Sequence, residues 1–274
     1  NTLSDRPGMD SQKTNSYGLK VFHSFDGFEL QSYTSSTDTN VIFSYDADWG
    51  NTDSHFPYVY DYFSETLRDR KSFNQEFRAV SDSADFQKNS FFEWVIGANY
   101  LELKESNLKK DDGLYGDPSD PYGPYASASA SSSKYKSSNF SVFGNLDYLL
   151  SASLKFSIGL RWEDWEADYS DSLQESFNPT DKMSGGKISL IKNMTNDTNM
   201  YASLAKGYKQ GGFNLGLGLD ANATNKNLAY DPEFLTNYEL GINTKLLDSK
   251  ITFNGVLFYS DREDQQVLIS TQTD

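Results

Sequence analysis

Hydrophobic and polar positions alternate along much of this chain with a period of two, the pattern of a strand with two unlike faces. The clearest run is Leu154–Trp162. Leu154, Phe156, Ile158, Leu160 and Trp162 share one face, and Lys155, Ser157, Gly159, Arg161 and Glu163 share the other. A face carrying that much charge needs water, either bulk solvent or a wet lumen, because a dry sandwich core leaves the charges unpaired. Phe140, Val142, Gly144, Leu146 and Tyr148 oppose Ser141, Asn145 and Asp147, with Phe143 as an exception; Trp94, Ile96, Ala98 and Tyr100 oppose Glu93, Gly97 and Asn99. Tyr238, Leu240 and Ile242 oppose Glu239, Gly241 and Asn243.

Taken along the whole chain, the pattern predicts ten strands in five hairpins: 17–24 with 28–36, 71–81 with 89–104, 134–149 with 153–164, 184–193 with 199–208, and 234–247 with 250–262. The joints inside the hairpins are short: Phe25-Asp26-Gly27, Asp82–Lys88, Leu150–Ala152, Met194–Thr198 and Asp248-Ser249. Those between hairpins are long: Thr37–Arg70, Glu105–Ser133, Trp165–Met183 and Lys209–Phe234. Sorting of loops by length in this way is the habit of transmembrane β-barrels, with tight periplasmic turns and long extracellular loops. A soluble sandwich has no reason for it. The predicted fold class is therefore all-β, an antiparallel transmembrane barrel. Asp111–Tyr125 and the serine-rich Ala126–Ser133 read as a low-complexity loop.

Composition narrows the function classes. Aromatic residues make up 15% of the 274 residues, while the mean hydropathy is −0.64. An aromatic outer wall around a polar interior gives that combination, and a secreted β-sandwich gives a similar average. The net charge of −15 repels phosphate backbones, so nucleic acid is a poor partner. With no cysteine and only His23 and His55, thiolate metal sites are excluded and histidine chemistry is improbable; no cofactor and no metal site are expected. Asp46, Asp48, Asn51 and Asp53 lack the spacing and closing glutamate of a calcium loop. Ser131–Lys134 has the form of a serine–lysine nucleophile but no supporting motif. The chain is not read as an enzyme.

Two segments bear on a ligand. Trp49, His55, Tyr58, Tyr60 and Tyr62 crowd one extracellular-side loop, where exposed aromatics offer stacking and burial to a ligand; an interfacial aromatic girdle is the alternative. Tyr208, Lys209, Phe213 and Asn214 form the second candidate, in YKQGGFN. There Gly211-Gly212 permits positive φ and close backbone approach.

Met200–Asn214 (MYASLAKGYKQGGFN) and Leu228–Val267, with its PEF…NYELG hairpin and FY strand, resemble the corresponding segments of TonB-dependent outer-membrane receptors. Phe73–Val80, Trp94–Tyr100 and Phe140–Tyr148 match in order and spacing. The resemblance implies a barrel of 22 strands around an N-terminal plug, in the outer membrane of a Gram-negative bacterium. It also implies energised import of a bulky scarce nutrient such as a ferric siderophore, with a TonB-type energy-coupling protein and outer-membrane lipid as partners. Asn1–Asp10 carries no export signal, no plug or coupling box is visible, and Thr271–Asp274 is not an aromatic closing strand. Residues 1–274 are thus expected to be an excerpt from the barrel domain, lacking the plug and the C-terminal strands. A passive porin-like channel and a secreted β-sandwich binding module are the alternative readings.

Overall fold

A computed structural model describes residues 4–82, 91–172, 176–213 and 229–267, without the side chains of Phe213 and Ala229. It contains β1 (Met9–Phe25), β2 (Phe28–Asp46), β3 (Val59–Ser81), β4 (Phe92–Gly116), β5 (Tyr125–Ser151), β6 (Leu154–Asp171) and β7 (Ser176–Phe177). Then follow β8 (Thr180–Asn193), β9 (Thr198–Lys209), β10 (Gly212–Phe213), β11 (Ala229–Tyr230), β12 (Glu233–Leu246) and β13 (Ile251–Glu263). One antiparallel sheet runs in the order β1-β2-β3-β4-β5-β6-β8-β9-β12-β13, with β7 paired to β6, and β10 and β11 forming a separate pair. Along that path each long strand pairs with the next long strand in the chain, as hairpin connections require. Among the described residues β1 and β13 are the two unpaired edges of this open wall.

All ten predicted strands are present, and most are longer than the alternation indicated. β2 runs on to Asp46, β3 begins at Val59, β4 extends to Gly116 and β5 begins at Tyr125. The long joint predicted over Thr37–Arg70 shrinks to 47–58, and that over Glu105–Ser133 to 117–124. The serine tract is therefore strand, not loop. Ser127 lies opposite Gly113, and Ser133 opposite both Asn107 and Asp171. Near the long-loop end both faces of a strand meet water, so polar residues stand on both sides and the period-two signal fades. The ladder itself persists, since strand formation depends more on neighbours than on intrinsic preference. The last hairpin turn is wider than Asp248-Ser249: β12 and β13 close at Leu246 opposite Ile251. Leu247, Asp248 and Ser249 all adopt positive φ, and the Lys250 amide donates to the Leu247 carbonyl over 3.1 Å. The predicted turn over Asp82–Lys88 lies, beyond Asp82, outside the described residues, as do Asn214 and Thr271–Asp274.

The register aligns the two faces across strands. Trp94, Leu146 and Ile158 stand in one row, Ala98, Val142 and Trp162 in another, and Leu204, Tyr238 and Tyr259 in a third. Among the described residues nothing covers this apolar face: Leu160 is 63% exposed, Leu240 61% and Leu257 77%. An uncovered apolar belt of this extent marks contact with a partner or a membrane. Its polar intrusions are bonded to one another, as Thr34 Oγ1 donates to Gln75 Oε1 at 2.6 Å and Gln75 Nε2 to Ser32 Oγ at 3.1 Å. The opposite face is a mesh of polar contacts. Lys155 Nζ lies 2.9 Å from Asp147 Oδ2, and Arg70 Nη2 2.5 Å from Glu105 Oε2. Phe143, the exception to alternation, sits on this polar face over Gly97, where an added Cβ would lie 2.5 Å from its Cζ. The missing side chain of Gly97 makes the room for that ring.

A candidate ligand-binding rim

The aromatic loop at 47–58 is built on short-range polar bonds. Asp48 Oδ1 accepts from the Gly50 amide at 2.8 Å, and its Oδ2 accepts from the Tyr62 amide at 2.7 Å. The Ala47 amide donates to the Tyr62 carbonyl over 2.7 Å. Asn51 Oδ1 accepts from the amides of Asp53 and Ser54, both at 3.0 Å. These carboxylate and amide oxygens therefore cap turns, as Asp and Asn do in loops. Burial opposes the charge of Asp46, but the Ser4 hydroxyl and the amides of Asp5, Arg6 and Asp48 outweigh it and hold the carboxyl below the usual range.

With its base pinned in this way, the loop returns His55 against β3. The His55 ring lies 5.1 Å from Tyr60, and Tyr60 lies 4.7 Å from Tyr62. This three-ring ladder continues the parity of Arg68 and Arg70, which reach Asn107 and Glu105 on the polar face. Trp49, at φ 59°, is 79% exposed, and Tyr58 is 48% exposed. Five predicted aromatic positions thus become one ordered group of three and two outlying side chains.

The second predicted group lies elsewhere on the wall, since β9 is separated from β3 by β4, β5, β6 and β8. Leu204 lines the apolar groove with Tyr238, so strict alternation would aim Tyr208 to the same side. Instead its hydroxyl donates to Glu163 Oε2 at 3.1 Å and accepts from Arg161 Nε at 3.2 Å. The ladder between β8 and β9 ends at Gly186 opposite Lys206, while that between β9 and β12 runs on to Lys209 opposite Glu233. Arg161 Nη2 and Glu163 Oε2 lie 2.7 Å apart, and Asn139 Nδ2 donates to both Glu163 (3.0 Å) and Gln210 (3.2 Å). Trp165, only 1% exposed, donates to Ser137 Oγ at 2.7 Å and packs with Ala167 and Met183. Lys209 ends β9 opposite Glu233, and Phe213 pairs with Ala229 through the backbone. Asn139, Trp165 and Gln210 were not singled out in the sequence. Charged or amide residues two apart, as in Arg161/Glu163 and Arg68/Arg70, are the signal that marks this face.

Gly211 serves close approach and not positive φ: among the described glycines only Gly27 has positive φ. A Cβ on Gly211 would stand 2.6 Å from the Tyr230 carbonyl oxygen and 3.0 Å from Asp181 Oδ2. Burial, helped by the nearby charge of Asp231, raises the Asp181 carboxyl above its ordinary value. A raised carboxyl stabilises the folded contact while protonated and loses that stabilisation as pH rises through the raised value. Hydrogen exchange of residues 211–213 and 229–231 in the full receptor, corrected for intrinsic rates, should show greater protection at pH 4 than at pH 7. Asp181→Asn should remove most of that difference; an unchanged difference would assign it to another group.

Among the described residues no group of three or more His, Cys, Asp or Glu side chains could hold a metal ion. Ser131–Lys134 lies inside β5. The arrangement offers a ring ladder and a hydrogen-bonding wall, which suit recognition of a solute.

Comparison with solved structures places this wall. The ferric yersiniabactin uptake receptor FyuA from Yersinia pestis matches with a TM-score of 0.65 at 18% identity, over 93% of this chain and 37% of that one. The siderophore receptor PiuA from Acinetobacter baumannii matches with a TM-score of 0.60 at 14% identity, over 92% and 40%. The copper transporter OprC gives 0.65 at 16% identity, over 95% and 40%. At these identities the likeness is one of fold, and the chain spans about two fifths of those proteins' length. In sequence, residues 1–274 match the family described as "TonB dependent receptor-like, beta-barrel". The open sheet, bare on its apolar face and wet on the other, is part of an outer-membrane barrel wall, and the chain belongs to the TonB-dependent receptor β-barrel family.

Proposed function

We propose that this wall belongs to a receptor that captures a bulky, scarce solute at its outer rim and imports it with energy from a TonB-type coupling protein. A ferric siderophore or a similar metal complex is the substrate class. The observation that carries the reading is the His55–Tyr60–Tyr62 ladder at the long-loop end of the polar face, above the Arg68, Arg70 and Glu105 contacts. Flat aromatic and chelate surfaces stack on such rings, and the charged wall beneath gives polar complexes a path inward. Two of the matched proteins are described as siderophore receptors or uptake receptors, and a third as a copper transporter, which supports a metal-complex substrate. Coupling would act through a plug domain, and the barrel exterior would contact outer-membrane lipid.

The test is uptake of radiolabelled iron from a panel of siderophores, by cells producing the full receptor, with and without the coupling protein. Saturable uptake that needs the coupling protein is expected. Tyr60→Ala with Tyr62→Ala should weaken substrate binding by roughly 30- to 700-fold, at about 1–2 kcal/mol per ring. Uptake that rises linearly with concentration and ignores the coupling protein would make the barrel a passive pore.

A further inference from the structure

Ahead of β1, the short segment Ser4–Gly8 forms a strap that reaches across the long-loop ends of β2, β3 and β4. Its sequence suits that path. Pro7 biases Arg6 towards extended backbone, and Gly8 passes where a Cβ would run into the Ser44 carbonyl oxygen. The Asp5 amide donates to Asp46 Oδ2 at 3.3 Å, and the Met9 amide to Ser44 Oγ at 2.9 Å. From this footing Arg6 reaches two strands at once. Its Nη1 lies 3.2 Å from Asp61 Oδ1 on β3, and its Nη2 lies 2.8 Å from Asp112 Oδ2 on β4. The guanidinium carbon stands 4.4 Å from the centroid of the Phe63 ring. A planar fork can serve two carboxylates and a ring together, which a point-like ammonium cannot.

Asp61 and Phe63 flank Tyr62, and successive side chains of a strand point to opposite faces. Arg6 therefore holds β3 from the outer side at the residue whose ring joins the ladder on the polar face. Tyr62 stands opposite Gly113, the neighbour of Asp112, and its ring lies directly on that glycine, where an added Cβ would overlap it. From the loop side, Asp48 Oδ2 accepts from the Tyr62 amide at 2.7 Å. Two tethers thus converge on one residue, Asp48 from the 47–58 loop and Arg6 from the strap. The Asp61 and Asp112 side chains are 43% and 54% exposed, so their ion pairs add little to global stability. Their place behind the ladder gives them a local task, since recognition groups need a supporting shell to fix their geometry.

We propose that Ser4–Gly8 is a clamp on the back of the rim and that Arg6 is a positioning residue for the His55–Tyr60–Tyr62 ladder. The segment leading into β1 and the 47–58 loop then hold one recognition surface between them. A solute that stacks on the rings meets them already in place, which lowers the ordering cost of binding. The inference rests on the reading of this rim as the solute site.

The experiment pairs hydrogen exchange with ligand binding, both on the full receptor in detergent. Exchange is followed in the peptide covering residues 59–63. The probes are ferric enterobactin, a tris-catecholate whose rings can stack, and ferrichrome, a tris-hydroxamate without aromatic rings. Arg6→Gln should speed exchange of the Tyr62 amide by roughly 3- to 10-fold. It should weaken whichever chelate binds by a similar factor, about 3- to 10-fold. Gly8→Ala keeps Arg6 but forces the strap off Ser44, and should act in the same direction on both readouts. Arg6→Asp should loosen the rim further, and adding Asp61→Arg returns a guanidinium to the same two strands and should reverse the loss. Heat modifiability shows that each variant folds. Unchanged exchange at 59–63 in folded Arg6→Gln and Gly8→Ala overturns the clamp, as does a double variant no better than Arg6→Asp alone. Faster exchange with unchanged affinity overturns the positioning role. Binding of neither chelate by the unmodified receptor counts against the siderophore reading, while exchange still decides the clamp.

Discussion

Leu160→Arg is expected to destabilise the full receptor in a bilayer by about 2–4 kcal/mol, the cost of a cation at the midplane on the lipid face. Leu160 stands between Gly144 and Gly186 in the register, in the middle of the uncovered apolar belt. Small neighbours give the arginine no partner. Ser203→Arg, on the opposite face and beside Glu239 in the ladder, should change stability by less than about 1 kcal/mol. Denaturant unfolding of the receptor in lipid vesicles measures both. The comparison is sharp because a one-residue slip in register exchanges the faces of a whole strand. Equal effects, or a larger penalty at Ser203, would invert the assignment of lipid and lumen.

That face assignment was legible in the sequence wherever one side of a strand meets lipid. Leu154–Trp162 alternates cleanly, and Trp94–Tyr100 does so apart from Val95, because the face in hydrocarbon favours apolar side chains. Beyond the belt the rule lapses, and so Thr37–Asp46 and Glu105–Gly116 were read as loop although their backbones continue the ladder. The candidate site was legible in part. The crowding of aromatics around residue 55 was visible, but the choice of His55, Tyr60 and Tyr62 over Trp49 depends on Asp48 anchoring the loop to the Tyr62 amide, a contact 14 residues apart. Tyr208 stood out by motif, while its contacts with Arg161 and Glu163 reach across β8 to β6 and need the sheet order to be known.

The free edges give the other large effect. Residues 1–274 produced alone with an export signal are expected to yield no folded, membrane-inserted species. Among the described residues β1 pairs only with β2 and β13 only with β12. Along the 17 residues of β1 and the 13 of β13, every second backbone amide and carbonyl points away from the sheet. In hydrocarbon each unsatisfied group costs several kcal/mol, which is why barrels close. At the second edge Leu257, Phe258 and Tyr259 are 77%, 72% and 66% exposed in succession, so β13 presents apolar side chains to both faces. In water such an edge recruits other strands and aggregates. Heat-modifiable gel migration and protease protection in outer-membrane fractions read the outcome. Aggregation or proteolytic clearance of the segment, with recovery when the remaining strands are supplied, is the expected result. A protected, heat-modifiable monomer of 1–274 would mean that β1 and β13 can pair with each other, and a small closed barrel would then replace the open wall.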